Sequence, residues 1–243
     1  MVHTSAYGES DRIVRLLTRS GRIDAFAPGA RRSQRRFGGA LEPLQSIQAD
    51  LHRRTRADGL VTLKSATVLR PRLGLRADLA RIALGSYGSE LGLRTAPEGE
   101  ASPNHDQVVE LLDFLDRAPA SAVVRRAFEL RLVPGLGYGP EVSACVVCGA
   151  RSVPAFLDLR HGGRLCSAHG VAAEVGRRRV GPRTLDWVRS VMEADQLRPD
   201  VSLGPEGATR AAGAVGPVLD AFFQELVDRP IKSLSFLMEL GIG

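Results

Sequence analysis

Three cysteines and one histidine carry the spacing in this chain best suited to metal chemistry. Cys145 and Cys148 form a Cys-x-x-Cys, Cys166 and His169 form a Cys-x-x-His, seventeen residues separate the pairs, and no cysteine is left over. Two short knuckles joined by an excursion are how a chain surrounds one tetrahedral ion, with two ligands from each turn. Gly149 follows the first pair and Gly170 the second, and glycine permits the tight turns that aim ligands inward. The alternative is three buried free thiols, cysteine being among the most buried residue types, but that leaves the paired spacing without a cause. A catalytic zinc needs an open coordination position, and four protein ligands leave none. The expected ion is a structural Zn2+, which points to architecture rather than to a reaction.

The second group is cationic. The chain has 243 residues and a net charge of +6, but the basicity is uneven. Up to Asp78 there are fifteen Lys and Arg against seven Asp and Glu, a balance of +8, so the remainder sums to −2. From Arg12 to Leu41 there are eight arginines and one acid, Asp24. Such a regional excess suggests a polyanionic partner; the alternative is a solvated basic face. Its densest part is Gly29-Ala-Arg-Arg-Ser-Gln-Arg-Arg-Phe-Gly-Gly-Ala40, read as an inter-strand loop. Arginine forks match phosphate oxygens, so Arg31, Arg32, Arg35 and Arg36 are expected to contact a phosphate backbone. Phe37 is expected to offer a stacking face for an unpaired base. Arg53, Arg54 and Arg56, before the Asp58-Gly59 turn, could extend the same stripe or form an ordinary charged hairpin tip.

Other chemistry is missing from the pattern. There is no Walker A loop, Gly-x-Gly-x-x-Gly or Gly-x-Ser-x-Gly. The deaminase pattern is absent, and no acid cluster suggests two-metal nuclease chemistry. The Ser10/Asp11 pair has no histidine companion at a telling spacing and reads as a turn. No catalytic residue is expected. No apolar run approaches the roughly 20 residues that span a bilayer, and no secretory signal is seen. Few cysteines, arranged as ligands, fit a reducing cytoplasm.

These groups must be positioned by two kinds of element. Residues 12–19 and 22–28 read as strands joined at Ser20-Gly21, a tight-turn signal. Residues 44–51 alternate imperfectly, and the β-branched run 60–69 follows. Four or five short antiparallel strands in about 75 residues suggest a small barrel or sandwich. After Pro71 the period becomes helical, with Leu79, Ile82, Ala83, Tyr87 and Leu91 on one face. Further helices are expected from a cap at Asn104, over 121–133, from a cap at Thr184, over 208–227 despite Gly213, Gly216 and Pro217, and over 231–240. Phe222 and Phe223 are expected in the core. Residues 154–159 and 161–165 look like a hairpin between the knuckles. The chain is therefore α+β and multi-domain, a basic β domain (1–75) followed by an α domain (76–243) with a zinc segment (143–170).

The chain also resembles the RecO family of bacterial DNA repair proteins. The matching stretches are Tyr-Gly-Glu-Ser-Asp-Arg-Ile-Val (7–14), Gly-Ala-Arg-Arg-Ser with Arg-Phe-Gly-Gly-Ala-Leu-Glu-Pro (29–43), Leu-Arg-Ala-Asp-Leu-Ala (75–80), Phe-Glu-Leu-Arg-Leu (128–132), Leu-Gly-Tyr-Gly-Pro-Glu with Cys-Val-Val-Cys-Gly (136–149), Gly-Gly-Arg-Leu-Cys (162–166) and Pro-Ile-Lys-Ser-Leu-Ser-Phe-Leu (230–237). They occur in family order along nearly the whole chain. The resemblance implies an N-terminal OB-fold barrel, an all-α helical domain and a zinc knuckle. It implies a non-enzymatic recombination mediator that binds single- and double-stranded DNA, anneals complementary strands, binds the acidic C-terminal tail of single-strand-binding protein (SSB), and works with RecR to load RecA. It also implies a cytoplasmic, nucleoid-associated protein with DNA-contacting basic residues at the 29–36 loop. Two departures stand out: the fourth ligand is His169 where the family usually has cysteine, and only Met1 to Ala6 precede the Tyr-Gly-Glu-Ser-Asp motif; either the start codon is assigned too far downstream or the first strand is truncated, and truncation would leave an edge incompletely paired. Two other readings compete: a helical adaptor that docks protein tails without essential DNA contact, and a zinc enzyme acting on nucleic acid.

Overall fold

The computed structural model describes residues 2–52, 61–171, 174–200 and 202–243. Arg53, Arg54, Arg56 and the Asp58-Gly59 turn lie outside the described residues. By compactness the chain forms two units, Met1–Ala118 and Pro119–Gly243.

In the first unit, β1 (Val2–Tyr7), β2 (Asp11–Thr18) and β3 (Gly21–Ala27) form an antiparallel meander. One helical turn, α1 (Gln34–Phe37), lies on the way to β4 (Ser46–His52) and β5 (Val61–Arg70). β5 runs parallel to β3, through Ala25↔Val61 and Phe26↔Thr62, and antiparallel to β4, so the order is β1-β2-β3-β5-β4. This is a five-stranded sheet of the OB-fold type. A β4–β1 ladder closing the barrel is not among the pairings of the described residues. The short first strand is fully paired on its β2 side, from Val2↔Leu16 to Tyr7↔Asp11.

Strand alternation sends Val14, Leu16, Ala25, Ala27, Leu63 and Ala66 into one core, joined by Phe37, Ala40 and Leu41 from the β3–β4 connection. β4 itself alternates, with Ile47, Ala49 and Leu51 half-buried and Gln48, Asp50 and His52 exposed; Leu44 is out of phase because it precedes the strand, at φ +67°, and the two register shifts of the β4–β5 ladder leave their extra residues, Lys64 and Leu69, on β5. The first unit also holds α2 (Leu73–Arg76), α3 (Leu79–Thr95) and α4 (Asn104–Leu115). Asp78 caps α3 by accepting the Arg81 N–H at 2.9 Å. Asn104 does not cap α4. Pro103 stands at that position, and the Asn104 amide instead donates to Thr95 Oγ1 at 3.0 Å, tying the start of α4 to the end of α3.

In the second unit, α5 (Ala122–Gly135) is capped by Ser121. A three-stranded antiparallel sheet, order β7-β6-β8, follows from β6 (Ala155–Asp158), β7 (Gly163–Cys166) and β8 (Arg178–Val180), with the turn α6 (Ser167–Gly170) after β7. Then come α7 (Pro182–Glu193), α8 (Gly204–Leu226) and α9 (Lys232–Glu239). Thr184 is not a cap; α7 starts earlier, with Pro182 in its first turn, where a missing N–H costs nothing. α8 runs through Pro217 and buries Val215, Val218, Leu219, Phe222 and Phe223 on one face. Among the described residues no helix is long and apolar enough to cross a membrane.

The second unit contains a buried ion network. Arg125, Arg126 and Glu129 are 1, 4 and 0 % exposed. Glu129 accepts from Arg125 Nε at 2.8 Å and Arg126 Nη1 at 2.9 Å. Asp220 on α8 accepts from both arginines, at 2.8 and 2.6 Å. Burial works against the Arg126 charge, but Glu129 and Asp220 outweigh it and raise its pKa, and the two guanidiniums face two carboxylates.

Candidate metal centre and nucleic-acid interface

The four ligand-type residues converge. Cys145 Sγ lies 3.7 Å from His169 Nδ1, Cys166 Sγ lies 3.2 Å from the same nitrogen, and Cys148 Sγ lies 3.8 Å from Cys166 Sγ. All four donor atoms fall within 4.8 Å of one another. A tetrahedral ion with zinc–sulfur bonds of about 2.3 Å requires sulfur–sulfur edges of about 3.8 Å. The cluster can hold a metal ion, with His169 using Nδ1.

Local backbone pairing makes this convergence. Cys145 N–H donates to Ala150 O and Gly149 N–H to Cys145 O, both at 2.8 Å, closing the first knuckle, with Gly149 at φ +71°. The β6–β7 hairpin pairs Ala155 with Cys166, and α6 then turns His169 back. Gly170 is required by close approach: a Cβ there would sit 2.5 Å from the Phe156 ring. Arg164 staples the knuckle flanks, donating to Ser143 O at 2.7 Å, Arg151 O at 2.8 Å and Ser152 O at 2.9 Å. Burial raises the Cys145 thiol pKa, but N–H donors from Cys166, Val147 and Cys148 outweigh it and bring it down to about 6. That favours the thiolate a metal needs. Arg164 does not stand out in the sequence; its place two residues before a ligand is the one available signal.

A second grouping, Asp158, His161 and Glu174, also clusters. There the buried Asp158 carboxylate already accepts from His161 Nδ1 at 2.9 Å and Arg177 Nε at 3.1 Å. Guanidinium occupies the place a cation would need, so this is an ion-pair network.

In the first unit the arginine-rich segment is more ordered than a loop. Asp11 Oδ1 accepts the Gly29 N–H at 2.7 Å. Arg31 donates its N–H to Ser10 O at 2.9 Å and Nη1 to Glu9 O at 3.2 Å. The Tyr-Gly-Glu-Ser-Asp turn is thus a clamp on the β3–β4 connection. Arg36 is spent locally, on Pro28 O at 2.7 Å and Ser33 Oγ at 3.1 Å, and lies over the Phe37 ring. Arg32 and Arg35 are exposed and have no side-chain hydrogen bond or ion pair among the described residues. The remaining arginine excess is partly cancelled: Arg15 meets Asp24 at 3.4 Å, Arg19 meets Asp106 at 3.2 Å and Arg22 meets Glu98 at 3.2 Å.

Phe37 is a correction. It is 3 % exposed, within the barrel core. One turn of α1 carries its ring inward while Arg35 and Arg36 stay outside, so it offers no face to a base.

The Gly29 N–H, then Ser10, holds the Asp11 carboxyl below its ordinary pKa. A depressed folded-state value contributes stability above the unfolded value of about 3.9 and loses it as pH falls through the folded value. Wild type is therefore expected to lose stability below about pH 4 more steeply than Asp11→Asn. Denaturant midpoints from pH 7 to 2 test this; parallel profiles would remove the clamp.

The chain thus combines a five-stranded OB-type sheet, a clamped cationic connection and a metal-type knuckle, and along nearly its whole length its sequence is similar to DNA repair proteins of the recombination class. The profile described as "Recombination protein O N terminal" matches residues 1–72, and "Recombination protein O C terminal" matches 76–235. Three relatives, each named DNA repair protein RecO, come from Anaeromyxobacter sp. (strain K), Geobacter sulfurreducens and Syntrophotalea carbinolica. The first is 37 % identical over 97 % of this chain and 92 % of its own. The second is 36 % identical over 98 % and 94 %, the third 32 % over 100 % and 93 %. The chain belongs to the RecO family of DNA repair proteins.

Proposed function

We propose that this protein is a non-enzymatic recombination mediator. It binds single- and double-stranded DNA, anneals complementary strands and helps load the RecA recombinase onto SSB-coated single strands. RecR and the C-terminal tail of SSB are its protein partners, and it works in the cytoplasm at the nucleoid. Residues 1–75 are the DNA-binding domain and 76–243 the helical domain, whose knuckle holds a structural Zn2+. The observation that supports this best is the exposed, unpaired Arg32 and Arg35 on a connection clamped by Asp11. Arg31 and Arg36 flank them in sequence, and Arg53, Arg54 and Arg56, outside the described residues, are taken as further DNA contacts. The physics is counterion release: arginines screen the phosphates of two strands and lower the repulsion that opposes pairing.

Replacing Arg31, Arg32, Arg35 and Arg36 with Ala is expected to weaken DNA binding across all sequences. The slope of log K against log salt should flatten by about 0.7 to 0.9 for each phosphate that is no longer neutralised. Most of the loss should reappear in the Arg32/Arg35 double variant. The parallel assay is annealing of SSB-coated complementary strands without nucleotide. Unchanged binding, salt slope and annealing in a folded variant would remove the assignment and favour the helical adaptor.

A further inference from the structure

With Phe37 in the core, the first unit needs another ring if bases are to stack. Strand alternation identifies one. The register places Tyr7 opposite Asp11, Ser5 opposite Ile13, and Ile13 opposite Phe26. Side chains one residue out of step, Val14, Ala25 and Ala27, are fully buried. Tyr7, Asp11, Ile13 and Phe26 therefore share the outer face of β1–β3. Tyr7 packs edge-to-face on Phe26, with centroids 5.8 Å apart and planes at 80°, and Tyr7 is still 58 % exposed. Phe37 and Tyr87, by contrast, are 3 and 2 % exposed.

Tyr7 is also the last residue of β1, directly before the turn that anchors Arg31 through Ser10 O and Glu9 O. An exposed ring held by a second ring thus adjoins a cationic connection. Stacking needs a π-face, and a backbone-tracking groove needs positive charge beside it. OB-fold sheets hold single strands on this kind of strand face.

We propose that Tyr7, supported from the sheet by Phe26, is the stacking platform for an unpaired nucleic-acid strand whose phosphates lie on the Arg31–Arg32 side. This rests on the DNA-binding reading above and adds base stacking to it. Duplex DNA, with its bases already stacked, gains nothing from the ring.

The test uses the full-length protein and three probes: an oligothymidylate, an abasic strand with the same number of phosphates, and a duplex. Tyr7→Ala should bind oligothymidylate at least about fivefold more weakly. Its affinity for the abasic strand and the duplex should be unchanged, as should the salt slope. Tyr7→Phe should restore binding. Equal affinity of Tyr7→Ala and wild type for oligothymidylate would overturn the proposal, and so would equal losses on all three probes, which mark a structural role. Should Tyr7→Ala fail to fold, Tyr7→Trp keeps the question open to measurement: its added emission should be quenched by oligothymidylate and not by the abasic strand, and no quenching overturns the platform. Failure of wild type to bind any probe overturns the DNA-binding reading itself, before any substitution is made.

Discussion

Replacing Glu129 with Gln is expected to lower folding stability by about 3–5 kcal/mol. Glu129 is fully buried and accepts from two guanidiniums that are themselves buried. Its spacing puts Arg126 and Arg125 three and four residues earlier on α5, so one helix face presents two cations to one anion. Glutamine keeps the volume and one acceptor oxygen, so no cavity opens; the loss is charge. Two arginines would remain inside with Asp220, whose side chain is 48 % exposed. Breaking a buried pair from one side leaves an uncompensated charge, which is why the effect is several times that of a surface pair. Asp220→Asn should cost less, because solvent screens that carboxylate. Urea unfolding measures both: the Glu129→Gln midpoint should fall with the slope unchanged. A midpoint equal to wild type would show that the network is not what holds α5 against α8.

On the proposed zinc-bound reading, removing the ion should have the next largest effect. Beyond the Arg164 staple and the β6–β7 hairpin, the knuckle's apolar cluster is small: Cys145, Leu165 and Cys166, with Ala150 and Phe156 packed against it. A core of that size does not order a segment without a cross-link or ion. A metal held at a thousandfold over its dissociation constant stabilises the folded state by about 4 kcal/mol. For a unit of this size that corresponds to a fall in melting temperature on the order of 10–20 °C on chelation. Proteolysis should then cut first within 143–170, and Cys166→Ser should behave like chelated wild type. No bound metal by elemental analysis, together with an unchanged melt, would favour three free thiols.

What can be read from the sequence is what is local in it. The ligand pairs sit on single turns, so spacing alone sets Cys145 beside Cys148 and Cys166 beside His169, and the hairpin that unites the two pairs is itself legible between them. The strands and the knuckle hairpin likewise follow from alternation and turn residues. The arginines show the limit. Eight of them near one acid look like a free cationic face, yet Arg19 and Arg22 are matched by Asp106 and Glu98, 87 and 76 positions away. Arg125 finds Asp220 across 95 positions in the same way. Phe37 looks exposed because its neighbours are charged, and a single helical turn between glycines reverses its facing. Tyr7 looks like part of a polar turn because the turn begins at the next residue. Asn104 and Thr184 have the right chemistry for caps, but a preceding proline moves each helix start.

On the proposed DNA-binding reading, the pairing of Arg15, Arg19 and Arg22 bears on how firmly a strand would be gripped. Asp24, Asp106 and Glu98 are internal rivals of phosphate, already seated and needing no diffusion to arrive. These pairs are largely solvent-exposed, so each carboxylate lowers the local attraction for phosphate without blocking access to its arginine. The unmatched guanidiniums would then carry most of the grip, and a change at Glu98 or Asp106 would add to it. On the proposed mediator reading, a surface built this way would hold a strand loosely enough to surrender it.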